Sequence, residues 1–252
     1  MEIITSNNNQ AVKQARSLLE KKYRKFYGHF LLEGKKLVCE AINKKLNIIK
    51  IFINEQKIDE FSDITNNFDC LILSNSVFKT LSDTQTPQGI IAEIEIPPVK
   101  EYKHNNSNKL LVLDRVSDPG NMGTIIRTAK ATGFNDIFVI DCVDVFSPKV
   151  VRSSVGTVLG VNVYPATTEE IIKLANKHNI RMLVADMHGQ NVIGMENLSN
   201  YMIVVGNEGQ GVCDEFKNYG TLIKIPMKAD VESLNAGVSA SVLMYLLEGE
   251  NI

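Results

Sequence analysis

The chain has 252 residues, a formal net charge of −2, 44% apolar and 22% charged side chains, which allows two modest domains or one large one in an ordinary globular protein. No apolar run approaches the roughly 20 residues of a membrane span, and the opening MEIITSNNNQ has no apolar signal core, so a cytoplasmic location and no membrane partner are the default expectations. The four cysteines, Cys39, Cys70, Cys142 and Cys213, form no CxxC, which speaks against a zinc site or a disulfide framework.

Charge is spread unevenly. Residues 1–50 carry eleven Lys/Arg against four Asp/Glu, a balance of +7; residues 51–103 carry four against nine, −5; residues 104–252 carry twelve against sixteen, −4. The first fifty residues hold either a patch for a polyanion backbone or a solvated helix surface.

Residues 10–26, QAVKQARSLLEKKYRKF, read as one amphipathic helix. Val12, Ala15, Leu18 or Leu19, Tyr23 and Phe26 share a stripe opposite Lys13, Arg16, Lys21, Lys22 and Arg24, and Gly28 ends it. Phe30–Leu32 reads as a strand, Lys35–Lys45 as a helix, Ile48–Ile53 and Cys70–Leu73 as strands, Val77–Leu81 as helix or turn, and Gly89–Ile96 as a strand. This alternation predicts a small α/β domain with its own core. Pro97-Pro98 stops the last strand, and the polar stretch KEYKHNNSNK, 100–109, is the best linker in the chain. The expected division is 1–103 and 104–252.

The second part repeats the rhythm. Strands are expected at Leu110–Leu113, Ile137–Ile140, Val161–Tyr164, Met182–Ala185, Tyr201–Val205 and Leu222–Ile225. Helices are expected at Asn121–Thr132, Lys149–Ser154, Glu169–Asn179 and Ser233–Glu248. Short, continuously apolar strands imply a parallel sheet covered on both faces. The final helix is apolar nearly all round (Leu234, Ala236, Val238, Ala240, Val242, Leu243, Tyr245, Leu246), as expected of a central helix or one at a contact between copies.

Three loops are expensive for structure alone. Asp118-Pro119-Gly120-Asn121 opens a helix that Asp118 or Asn121 can cap, at the carboxyl end of a strand where open α/β sheets place their chemistry; Arg127 follows six residues later. VVGNEGQGV, 204–212, puts three glycines, an amide and the carboxylate of Glu208 directly after a strand. It reads as a ligand loop or as a tight turn before a helix. In IPMKADVESLN, 225–235, Ser233 can cap the last helix, while Ile225, Met227 and Leu234 can wall an apolar slot. No GxGxxG follows the first strand of this domain and no GxxxxGK[ST] occurs, which lowers dinucleotide and ATP readings.

The three segments DRVSDPGNMGTIIRTAKATGF (114–134), VVGNEGQGV (204–212) and IPMKADVESLNAGVSASVLMYLL (225–247), in this order, resemble the motifs of the SpoU/TrmH class of RNA ribose 2′-O-methyltransferases of the SPOUT superfamily. SPKVVRSSVGT (147–157) resembles that family's intermediate segment, and HFLLEGKKLVCEAI (29–42) its attached RNA-binding domain with a ribosomal-protein L30e-like fold. The resemblance implies an α/β catalytic domain with a deep C-terminal trefoil knot, a feature that sequence rules would not predict. It implies homodimers that meet at the knotted domain, RNA as partner with rRNA favoured over tRNA, and no metal. It also implies S-adenosyl-L-methionine as cofactor, held by Ala185, Val205, Gly206, Asn207, Gly209, Ile225, Met227 and Leu234. The implied catalytic residues are Arg127, Asn121, Glu208, Ser233 and Asn235, with Arg127 acting on the 2′-hydroxyl. Because guanidinium stays protonated, Arg127 would stabilise an alkoxide or grip a phosphate. Two departures stand out: Gly237 where the family has a small hydroxyl residue, and Ser117 where Gln is common.

Overall fold

The structure, a computed structural model, describes residues 2–99, 101–105, 109–195, 198–228 and 233–248. Residues 100 and 106–108 of the expected linker, and 229–232 of the third loop, lie outside the described residues. The chain divides into two units, Met1–Pro97 with Phe146–Arg152, and Pro98–Val145 with Ser153–Ile252. The break therefore falls at the Pro97-Pro98 stop, before the polar stretch, whereas 103/104 was expected. Phe146–Arg152 joins the first unit because Phe146 packs on Phe30 at 5.0 Å and Val150 and Val151 are buried.

The first unit runs β1 (Ile3–Ile4), α1 (Gln10–Ser17), α2 (Lys21–Tyr27), β2 (His29–Glu33), α3 (Lys35–Asn43), β3 (Ile48–Asn54), a 3-10 turn (Glu55–Phe61), α4 (Ser62–Thr65), β4 (Cys70–Leu73), α5 (Asn75–Lys79) and β5 (Ile90–Glu95). Its sheet has the order β1-β4-β3-β5-β2, with β4 parallel to β1 and β3, and β5 antiparallel to β3 and β2. Val12, Ala15 and Leu18 pack on Leu31, Phe52, Leu73, Phe78 and Ile91, as the apolar stripe predicts. The single helix expected over 10–26 is two. It breaks at Leu18–Glu20, and this turn rotates the rest of the stripe away from the core. Arg24 becomes the buried residue of α2, its Nη1 donating to the Leu18 carbonyl at 2.7 Å, and Phe26 is left 77% exposed. A carbonyl freed at the end of α1 needs a donor when buried, and Arg24 supplies it.

The second unit runs β6 (Lys109–Asp114), α6 (Pro119–Ala131), β7 (Asp136–Ile140), α7 (Pro148–Ser153, grouped with the first unit up to Arg152), a 3-10 turn (Thr157–Gly160), β8 (Asn162–Pro165), α8 (Thr168–His178), β9 (Arg181–Asn191), β10 (Tyr201–Val205), α9 (Asp214–Tyr219), β11 (Thr221–Lys224) and α10 (Ala236–Glu248). All six strands are parallel, in the order β11-β9-β10-β6-β7-β8. Leu110, Val112, Met182, Val184, Met202 and Val204 share one core with Ile171 and Ala175 of α8 and Phe216 of α9. The alternate residues Leu111, Leu113, Leu183 and Ile203 are also fully buried, on the face carrying α6 and α10, since Tyr201 of the same parity donates to the Leu247 carbonyl. Sheets buried on both sides need such continuous apolar strands.

From β6 the chain runs outward through β7 to β8. It then returns on the other side of β6, placing β9 first, β10 between β9 and β6, and β11 at the outer edge. The carboxyl ends of β6 and β10, adjacent in the sheet but reached by connections running opposite ways, form the crevice where open α/β sheets bind ligands. The final helix starts at Ala236 rather than Ser233, because Asn235 caps it by accepting from Val238 N at 3.2 Å. Its surface is also less uniformly buried than the composition implies: Ala236, Ala240 and Leu243 are buried, while Val238, Tyr245 and Leu246 are exposed.

Candidate active site

At the end of β6, Asp114 is buried with both oxygens engaged. Arg115 donates Nε to Oδ1 at 2.8 Å and Nη2 to Oδ2 at 2.9 Å, and Cys213 N donates to Oδ2 at 2.8 Å. Arg115 then crosses to the loop after β10, donating to Gln210 Oε1 at 2.9 Å and the Gly211 carbonyl at 3.3 Å, while Asn207 Nδ2 donates to the Arg115 carbonyl at 3.0 Å. A bidentate guanidinium–carboxylate pair is geometrically stiff, so this pair fixes the glycine loop to the strand beside it.

The loop itself folds back at Asn207 and Gly211, which exchange backbone hydrogen bonds of 3.2 and 2.9 Å. The Asn207 side-chain oxygen accepts from Gly209 N and Gln210 N. At Gly206 a Cβ would lie 2.3–2.4 Å from Gly211 C and O and Val212 N. Gly211 has φ +69°, the left-handed region that glycine enters without strain. The glycines therefore serve the fold-back, and the fold-back presents backbone edges to the cleft.

Asp118 caps α6 by accepting from Asn121 N at 2.8 Å, leaving the Asn121 side chain free to reach across. Its Nδ2 donates to Glu208 Oε1 at 2.8 Å, and Ser117 Oγ donates to Glu208 Oε2 at 3.2 Å. Glu208 is an exposed residue with a partly desolvated carboxylate. Desolvation pushes its pKa up, but the bonds from Asn121, the backbone and Ser117 outweigh it and hold the group below the ordinary carboxylate range. Ser117, where the family commonly has Gln, thus touches the glycine loop.

β9 supplies the third wall. Its partner β11 pairs Leu222 with Val184 but Ile223 with Gln190, so five residues of β9 bulge out of the ladder. Ala185, Asp186 and Met187 line the cleft from that bulge. Gly189 closes it, since a Cβ there would strike the Leu222–Ile223 backbone at 2.5 Å. Asp186 accepts from Lys217 Nζ at 2.9 Å and from His188 N at 2.9 Å. Burial pushes Asp186 up, yet these donors keep it below its ordinary value.

The cleft encloses about 380 Å³, within the ~300–1,000 Å³ of small-molecule and cofactor sites. All eight residues expected to hold the cofactor, Ala185, Val205, Gly206, Asn207, Gly209, Ile225, Met227 and Leu234, line it, as do Glu208 and Ser233. Asn121 joins through Glu208. Asn235 is not in the lining and its oxygen is spent on the cap of α10. Arg127 is exposed and also outside the lining. Six residues at 3.6 per turn place it about 120° around α6 and about 9 Å along it from Asn121. Its neighbour Thr128 lies within 2.9 Å, hydroxyl to hydroxyl, of Ser241 on α10. Sequence reading missed Arg115, Asp186, Gln210 and Lys217 as parts of the site; an Asp-Arg pair at a strand end was the only available signal for the first. Among the described residues no group of three or more His, Cys, Asp or Glu is placed to hold a metal.

The SpoU rRNA Methylase family matches residues 108–245, and an MRM3-like substrate binding domain matches residues 9–92. The chain is 32% identical to the 23S rRNA (guanosine(2553)-2′-O)-methyltransferase RlmP of Bacillus subtilis, covering 99% of this chain and 100% of that protein. Among solved structures it is similar to an RNA 2′-O ribose methyltransferase (TM-score 0.84, 29% identity, 97% of both chains). It is also similar to an AdoMet-bound rRNA methyltransferase from Sinorhizobium meliloti (TM-score 0.85, 26% identity, 96% and 95% of the two chains).

Proposed function

The chain belongs to the SpoU rRNA methylase family, and on that premise we propose that it transfers a methyl group from S-adenosylmethionine to a ribose 2′-hydroxyl of RNA, with 23S rRNA as the substrate. The observation that carries this reading is convergence. Segments 185–187, 205–211, 225–227 and 233–243, far apart in sequence, meet around one cleft at the switch point of the sheet, with Asn121 joined to it through Glu208.

The lining fits the cofactor. Ile225, Met227 and Leu234 give apolar surface for an adenine ring, and the glycines of the 205–209 loop let main chain approach its polar rim. S-adenosylmethionine, when bound, supplies a sulfonium-activated methyl group, so no metal is needed for activation. The protein's own work is alignment and charge. Glu208, an ionised carboxylate anchored by Asn121, orients polar groups at the cleft edge. Ser233 is exposed at the cleft and available to the ribose. Arg127 stabilises the developing alkoxide or grips the adjacent phosphate.

The exposed Val238, Tyr245 and Leu246 of α10 support a homodimer through this helix; sedimentation of the wild type and Tyr245→Glu tests it, a monomeric wild type refuting it. The path from central β10 to edge β11 and back to α10 on α6 supports the knotted C-terminus implied by the resemblance; a traced crystal structure with that path unthreaded refutes it. The first unit would hold the RNA, its lysines and arginines setting register on phosphates. The direct experiment uses the full chain with labelled S-adenosylmethionine and unmodified 23S rRNA, 16S rRNA and tRNA, followed by mapping of 2′-O-methyl groups. Label in a 23S ribose is expected. Label in tRNA alone moves the substrate, and no label in any RNA overturns the reading.

A further inference from the structure

The break between α1 and α2 leaves something the methyl-transfer chemistry does not use. Phe26 is 77% and Tyr27 38% exposed, in a chain whose other large apolar residues are mostly in cores. Their rings meet edge to face, centroids 4.9 Å apart at 86°, an arrangement that occupies one ring face and leaves the other open. Lys21, Lys22 and Lys25 of the same helix are exposed, and so are Lys13 and Arg16 on α1. Glu20 is the only acidic residue between positions 10 and 28. Leaving a phenylalanine in water forgoes the burial that most such side chains obtain, and this one lies on a short helix with three exposed lysines, within the first fifty residues, where the basic excess is concentrated.

We propose that the Phe26–Tyr27 pair is a stacking platform for an unpaired RNA base, with Lys21, Lys22 and Lys25 holding the flanking phosphates. Aromatic faces bind single-stranded bases without regard to sequence, and lysines beside them track the backbone. An A-form duplex keeps its bases stacked on each other and cannot offer one to the ring. A second copy of the chain fits the patch poorly, because a symmetric contact would set these lysines against their own counterparts. The proposal rests on the RNA reading above and deepens it: it makes the first unit a reader of exposed bases in addition to phosphates.

The chain contains no tryptophan, so a Phe26→Trp variant carries a single indole at the platform. Titration of the full-length variant with a short unstructured oligoribonucleotide should quench its fluorescence, and a blunt duplex of the same composition should not. Phe26→Ala should weaken binding of the single strand by roughly tenfold or more, with S-adenosylmethionine affinity unchanged, because the residue lies outside the cleft. Equal quenching by strand and duplex, or Phe26→Ala affinity within twofold of wild type, overturns the platform while wild-type methyl transfer leaves the functional reading standing. A change of sedimentation coefficient in Phe26→Ala assigns the patch to a contact between copies and overturns it as well. Absence of methyl transfer to any RNA by the wild type instead sinks the reading beneath it.

Discussion

Replacing Gly206 by alanine tests whether the glycine loop is the rigid part of the cofactor site. The added Cβ would sit 2.3–2.4 Å from three backbone atoms of Gly211 and Val212, where ordinary contacts are 3.4–4 Å. The overlap of about 1 Å falls on main chain, which cannot rotate aside as a side chain would. Relief requires the Asn207–Gly211 fold-back to open, losing two backbone hydrogen bonds worth about 0.5–1.5 kcal/mol each. Overpacking of a tight site adds about 1–3 kcal/mol, so the variant should lose roughly 2–6 kcal/mol, partly as global stability and partly as cofactor affinity. Gly209→Ala is the internal control: its Cβ meets only Asn207 Oδ1, at 3.6 Å. Urea unfolding and calorimetric titration with S-adenosylmethionine should show Gly206→Ala impaired in one or both, and urea unfolding should show Gly209→Ala near wild type. Equal behaviour of the two variants would refute the reasoning, because it would mean that the loop yields freely.

Arg127→Ala should retain S-adenosylmethionine binding, since the residue lies outside the cleft lining, and lose at least a hundredfold in single-turnover methyl transfer, the usual scale for removing one transition-state donor, about 10²–10³; undiminished transfer removes Arg127 from the chemistry. Glu208 is held below the ordinary carboxylate range by donors that include Asn121, so its ionised form stabilises the fold above that range and the contribution fades as pH falls through the lowered native value. Accordingly the stability advantage of wild type over Glu208→Gln should be flat near neutrality and shrink on acidification, and Asn121→Ala should move the acid limb of kcat/KM to higher pH; superimposable pH profiles count against the coupling. Gly237→Ser restores the family's usual hydroxyl, but its Cβ would come within 3.2–3.3 Å of Asn235 Oδ1 and Asn121 Cα and Oδ1, so the urea midpoint should fall by the equivalent of about 1–2 kcal/mol; an unchanged midpoint shows that α6 and α10 can part at no cost.

Most strands of the second unit were legible because a parallel sheet buried on both faces demands unbroken apolar runs such as Leu110–Leu113 and Tyr201–Val205. What escaped was decided by tertiary contact. The bulge in β9 exists because β11 re-pairs beyond it at Gln190 and Asn191, and nothing local to Ala185–Gly189 announces that jump. The helix break at Leu18–Glu20 lies inside a good amphipathic pattern; the buried Arg24 that caps it reads in sequence as one more surface cation. Asn235, which the resemblance counted among the catalytic residues, has its side-chain oxygen on the cap of α10, while Ser233, which the sequence offered as that cap, is exposed at the cleft. Arg115, which sequence showed only as a charged strand exit, makes four side-chain bonds whose partners are 1, 95 and 96 residues away.

That last distance explains why the site is late in the chain yet depends on its middle. Asp114 and Arg115 cannot hold the glycine loop until β10 has been inserted between β6 and β9. Asn121 cannot donate to Glu208 until the same insertion brings position 208 to the start of α6. The Asn121 backbone, in turn, abuts Gly237, where α10 passes. The contacts of Arg115 and Asn121 with the glycine loop thus join an early segment to a late one, and the tight spots at Gly206, Gly189 and Gly237 are where two backbones or a backbone and an amide lie too close for a side chain. Binding geometry and the placement of β9, β10, β11 and α10 are therefore one requirement, which is why glycines and amides, rather than a conspicuous cluster of titratable groups, mark the site in the sequence.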